Sequence, residues 1–125
     1  VELETASTEA WRRIEEAELA ISSVSAGTGF GRSSGLRVSA KIYAIHNDGG
    51  LVLKLPSARV QELIATGDAA AWGPGTGKTM KEWVAISPAV IEDWPTLVAE
   101  ARTFVGDLAR RDETRRPAPD VSPRR

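Results

Sequence analysis

The chain has 125 residues, of which 42% are hydrophobic and 26% charged, with a net charge of −1 and no cysteine. That length suits one domain with a single core, and the lack of cysteine excludes disulfides and thiolate metal sites and fits a reducing cytoplasm. No apolar run approaches the roughly 20 residues that cross a bilayer, and the acidic, polar start VELETASTEAWRR has no apolar segment, so neither a membrane span nor secretion is expected.

In chain order, Thr5 to Ser23 places Trp11, Ile14, Ala17 and Ile21 at helical spacing. This predicts a first helix with those residues on its core face, Thr5 or Ser7 as its cap and Glu9 near the positive end of its dipole. Glu15, Glu16 and Glu18 form a charge run that reads as a solvated face. Residues 25–40 are rich in Gly and Ser but contain Phe30, Leu36 and Val38. They read as an irregular strand with a turn at Ser33 to Gly35.

Lys41 to Ile45 and Leu51 to Leu55 are β-rich runs joined across Asp48-Gly49. This is a hairpin signal, since glycine supplies the positive φ of the turn. Alternation sends Leu51, Leu53 and Leu55 to the core and Val52 and Lys54 to the other face. Pro56-Ser57 stops the strand and caps a short helix, Ala58 to Thr66, with Val60, Leu63 and Ile64 buried and Gly67 ending it. Residues 67–79 read as one long loop. Met80 to Ile86 returns as a strand with Val84 and Ile86 inward and Lys81 and Trp83 outward. Asp93 caps the last helix, Pro95 falls in its first turn, and Leu97, Val98, Ala101, Phe104, Val105 and Leu108 form its apolar stripe. From Asp112 the proline and charge content predicts a disordered tail, giving a domain over 1–111 and a tail over 112–125.

Charge is uneven along the chain. Residues 1–24 carry six acids and two bases, whereas residues 25–91 carry seven bases and four acids, −4 against +3. The sheet region is therefore the basic part of a mildly acidic protein, whose isoelectric point is about 5.9. A local basic face is compatible with that distribution, although salt readily screens it.

Two glycine-rich stretches imitate nucleotide loops and fail on spacing. In Gly27-x-Gly29-x-Gly31 the third glycine of a dinucleotide fingerprint falls on Arg32, and no helix signal follows. In Gly73 to Thr79, GPGTGKT, the first glycine of a P-loop falls on Trp72, and the following MKEWVAIS is a strand signal where a helix is required. Nucleotide binding is therefore not expected. His46, the sole histidine, sits at the hairpin end and reads as a turn residue rather than a general base. Ser33, Ser34 and Ser57 read as turn and cap residues rather than nucleophiles. No catalytic residue, metal ligand or cofactor site is expected.

The order KIYAI, DGGLVLKLP, RVQELI, GPGTGKTMKEWVAI, DW, LVAEARTFV resembles the MmcQ/YjbR-like proteins and the related TfoX/Sxy N-terminal domains, over roughly Gly29 to Val105. The most specific pieces are the LKLP strand end, the Lys81-Glu82-Trp83 triplet and the strand opening at Lys41, where Ala40 replaces the family's glycine. The Pro-Gly-Val-Glu-like turn of the family is also absent, its place held by Ser22 to Ser25. The resemblance implies an α+β fold of two layers, with helices on one face of an antiparallel sheet, similar to secretion chaperones. It also implies a bacterial cytoplasmic protein of DNA-binding or regulatory role.

On that expectation the nucleic-acid surface is the outer sheet face, with Lys54, Lys81 and Trp83, joined by Lys41 and Tyr43 and flanked by Arg32 and Arg37. Cations neutralise phosphates and an exposed aromatic stacks a base. The alternative is a protein-interaction or chaperone-like module, including a homodimer, using the same open face around Val52 and Trp83 or the 67–79 loop. A third reading is a small-molecule pocket beneath Trp72 and Trp83.

Overall fold

The structure is a computed structural model that describes residues 2–27, 34–47, 50–73 and 81–115. Its element order is α1 (Glu2–Leu19), β1 (Val24–Ala26), β2 (Ser34–Val38), β3 (Lys41–Asn47), β4 (Gly50–Lys54), α2 (Ser57–Ala65), β5 (Ala69–Ala71) and β6 (Trp83–Ile86). A 3-10 segment, Pro88–Asp93, then leads into α3 (Trp94–Arg115). The six strands form one antiparallel sheet in the order β1-β2-β3-β4-β6-β5, on which the three helices pack.

Alternation explains the core. Cross-strand pairing lines up Leu36, Ala44, Leu53 and Val84 in one row, and His46, Leu51 and Ile86 in the next. The four residues of the first row are fully buried. They meet Trp11 and Ile14 of α1, Val60 and Leu63 of α2, and Trp94, Leu97, Val98, Ala101 and Val105 of α3 in a single cluster. Each leucine, isoleucine or valine among them contributes about 1.5–3 kcal/mol when removed from water. Leu51, Leu53 and Leu55 lie inside, as alternation requires.

Several expected boundaries shift for identifiable reasons. Helix α1 begins at Glu2, so Thr5 and Ser7 are inside it and do not cap it; Ser7 is buried. Ala17 is exposed, and Glu18 takes its place on the buried stripe. Ser34 and Gly35 belong to strand β2 rather than to a turn. Ser57 is the first residue of α2, after Pro56, and makes no capping hydrogen bond. The stretch after Gly67 is not one loop, because Ala69–Ala71 pairs with β6 as an edge strand. Lys81 lies in the turn before β6, which starts at Trp83. Helix α3 continues to Arg115, four residues into the expected tail. Arg32, Ser33, the Gly29 and Gly31 positions, Asp48-Gly49, the 74–80 part of the P-loop-like run and residues 116–125 lie outside the described residues.

Helix α2 stops as its glycine suggests. Gly67 adopts φ +84°, its N–H donates to the Ile64 carbonyl and the Asp68 N–H to that of Leu63, closing a Schellman turn. The β2–β3 turn is less well matched. Val38 pairs with Lys41, which leaves Ser39 and Ala40 as a two-residue loop at φ 51° and 71°. Both positions favour Asn or Gly, and a side chain there is strained. Ala40→Gly is therefore expected to stabilise the fold by about 0.5–1 kcal/mol, relief of strain exceeding the added unfolded-state entropy. Denaturant melts check this; a loss of stability would show that the turn tolerates alanine at no cost.

Candidate functional site

Five of the seven residues expected at a nucleic-acid surface gather around the end of the sheet. Lys54 of β4 pairs across the strands with Trp83 of β6, and its Nζ lies 5.9 Å from the centroid of the Trp83 ring. This cation–π contact holds the ammonium over the indole. The pair forms a shared wall of two clefts. One, about 490 Å³, is completed by Arg37, Lys41, Ile42 and the α3 residues Val105 and Leu108. The other, about 300 Å³, is completed by Lys81, Ser57 and Glu82. Four cations thus surround the two clefts against one lining carboxylate, Glu82.

Glu82 lies 4.0 Å from Lys54, and both side chains keep substantial exposure, so the pair is weak and leaves the ammonium accessible. Arg37 is oriented by donating from Nε to the Gly27 carbonyl at 2.9 Å. The indoles of Trp72 and Trp83 lie 5.7 Å apart at an interplanar angle of 50°. Trp72 lines neither of these two clefts.

Tyr43 does not join this surface. Leu36 pairs with Ala44 and Arg37 with Ile42, leaving Tyr43 without a cross-strand partner at a β-bulge. Such a bulge rotates the following side chains, so Tyr43 and Ala44 both turn inward and are fully buried. The Tyr43 hydroxyl donates to Glu18 Oε1 at 2.6 Å, and Arg102 Nη1 of α3 donates to Glu18 Oε2 at 2.5 Å. Burial, reinforced by the Glu18 carboxylate, pushes the tyrosine pKa far up, so the hydroxyl remains a donor at any ordinary pH. Glu18 is thus a buried carboxylate joining α1, β3 and α3, not part of a solvated charge run.

Val52 also departs from the expectation of an open apolar face. It pairs with Ile45 on one side and Ala85 on the other, and both Ile45 and Val52 are buried. Leu19, on α1, is a large hydrophobic side chain that stays well exposed.

His46 is a strand residue, not a turn residue. Its ring stacks on Trp11 at 5.4 Å and 8°, meets Trp94 edge-on at 6.4 Å, and has Nε2 3.0 Å from Ser7 Oγ. A serine beside a histidine invites a nucleophilic reading, but Ser7 is only 1% exposed and offers no approach for a substrate. Burial lowers the His46 pKa from its usual value near 6.5. The unfolded chain therefore binds this proton at higher pH than the folded one, so the stability is fully present above about pH 6.5 and is lost as pH falls below it. The melting temperature is expected to drop between pH 7.5 and 5.5, and to drop less in His46→Phe, which keeps a stacked ring that cannot titrate. Equal slopes for the two proteins would contradict this.

Among the described residues, no cluster of histidine and carboxylates has metal-binding geometry, and no helix is long and apolar enough to cross a membrane. Comparison of the chain with family models, with curated proteins and with solved structures returns no match in any of the three.

Proposed function

We propose that this protein is a small non-enzymatic cytoplasmic module that binds the phosphate backbone of nucleic acid, DNA first, at the clefts around Lys54 and Trp83. One observation carries the reading. Arg37, Lys41, Lys54 and Lys81 come from three strands and a turn, and all line clefts built on a single indole. Such a cluster neutralises successive phosphates, and its counterions are released on binding. An acidic isoelectric point does not oppose this, because a local field acts over about a Debye length, roughly 8–10 Å at physiological salt. The order of motifs that resembles the MmcQ/YjbR-like proteins supports the same role.

The interaction-module alternative uses the sheet face around Val52 and Trp83 or the 67–79 loop; Ile45 and Val52 are buried on that face, which favours the nucleic-acid reading over its sheet-face form. Fluorescence anisotropy of a labelled random-sequence duplex, titrated with the protein at increasing salt, tests the proposal. Binding that weakens steeply with salt supports it, and no binding at low salt sinks it.

A further inference from the structure

Helices α2 and α3 enclose a groove that the nucleic-acid reading leaves unused. Two adjoining depressions, about 570 and 650 Å³, share Arg59, Thr96 and Glu100 in their walls. Along one wall Asp93, at the end of the 3-10 segment, and Leu97, Glu100, Phe104 and Asp107 of α3 recur at intervals of four, three, four and three, a continuous stripe about 20 Å long. The floor is apolar, with Leu63, Val90 and Leu97 in the first depression and Pro56, Ala99 and Phe104 in the second.

The rim has the opposite sign to the Lys54 clefts. Glu62, Asp68, Asp93, Glu100 and Asp107 supply five carboxylates. Arg59 answers two of them, donating to Glu100 at 3.0 Å and to Glu62 at 2.9 Å, and Arg110 pairs with Asp107. The Glu100 bond, the largest cause, raises the Arg59 pKa further, so the guanidinium stays charged between the two carboxylates. Asp68 and Asp93 form no ion pair among the described residues, though Asp68 accepts a hydrogen bond from Thr66 Oγ1. The groove therefore keeps a negative rim over an apolar floor. It repels phosphate, which excludes nucleic acid and anionic membranes as its occupant.

We propose that the α2–α3 groove docks a lysine- or arginine-rich amphipathic segment of a partner protein. Its apolar side chains enter the two depressions, one on each side of the Arg59–Glu100 bridge, and its cations meet Asp68 and Asp93 at the rim. The length of the stripe matches roughly four turns of helix, which favours a peptide over a small amine.

The test uses a fluorescent peptide of about 14 residues, Leu and Lys at amphipathic helical spacing. Its comparisons are the same peptide with Glu for Lys and an oligolysine of equal length. The Leu/Lys peptide is expected to bind with a saturable isotherm, the Leu/Glu peptide not at all, and oligolysine about tenfold more weakly. Asp68→Asn with Asp93→Asn should weaken binding about tenfold. Thr103→Arg, from an exposed position in the second depression, should weaken it without touching either carboxylate. Lys54→Glu with Lys81→Glu should leave it unchanged. Oligolysine binding as tightly as the Leu/Lys peptide would reduce the effect to charge alone and overturn the proposal. So would unchanged affinity in both groove variants, or no binding by the unaltered protein.

Discussion

Glu18→Ala is expected to destabilise the fold by about 3 kcal/mol, a melting-temperature loss on the order of 10 °C for a domain of this size. Two partners lose their acceptor at once. The Tyr43 hydroxyl is fully buried and has no route to water, so it bears the desolvation cost of an unmade hydrogen bond, about 1–3 kcal/mol. The Arg102 side chain is 27% exposed and regains part of its hydration, which keeps the loss below that of a fully buried pair. Glu18→Gln retains an acceptor for Tyr43 and should lose about half as much. Tyr43→Phe, which removes the donor instead, should cost about 1 kcal/mol. Denaturant melts of the three variants separate these contributions. If Glu18→Ala stays within about 0.5 kcal/mol of the unaltered protein, Glu18 behaves as a surface carboxylate and the buried network is wrong.

The second large effect is on binding. Lys54→Glu with Lys81→Glu replaces two of four cleft cations by anions next to Glu82 and should weaken nucleic-acid binding about a hundredfold or more. Stability should change little, because Lys81 is exposed and the Lys54–Glu82 contact is long and weak. Near-normal affinity in the double variant would move the binding surface away from the Trp83 clefts.

The sheet was largely legible because two forces agreed on it. In Leu51-Val52-Leu53-Lys54-Leu55 the leucines alternate, and a strand with that pattern has one stable orientation on a core. Helix α3 was legible for the same reason, its apolar stripe being long and uninterrupted. The short strands Val24–Ala26 and Ala69–Ala71 were not, since three residues rich in Ala and Ser carry no periodicity and owe their pairing to neighbours.

The buried polar residues of α1 left a signal that polarity masks. Ser7, Trp11, Ile14 and Glu18 follow one another at intervals of four, three and four, and all four are buried. Reading position before polarity places Glu18 on the core stripe. The bulge at Tyr43 had no such trace, because a single extra residue reverses the inward and outward sense of a strand without changing its composition. That reversal puts Tyr43 on the core side beside Ala44 and takes it off the outer face that simple alternation assigns it, while Lys41 stays exposed at the start of the strand. Cross-strand pairing of β4 with β6 brings Lys54 to Trp83, and Arg37, Lys41 and Lys81 line the clefts that share this pair.

The decisive measurement is the slope of log K against log salt concentration for a random-sequence duplex, with the unaltered protein and the Lys54→Glu, Lys81→Glu variant side by side. Four cleft cations predict a slope of about −3 to −4 for the unaltered protein and a markedly shallower one, with much weaker binding, for the variant. Equal slopes and affinities for the two proteins, or no binding by the unaltered protein at low salt, would contradict the assignment of this surface to nucleic acid.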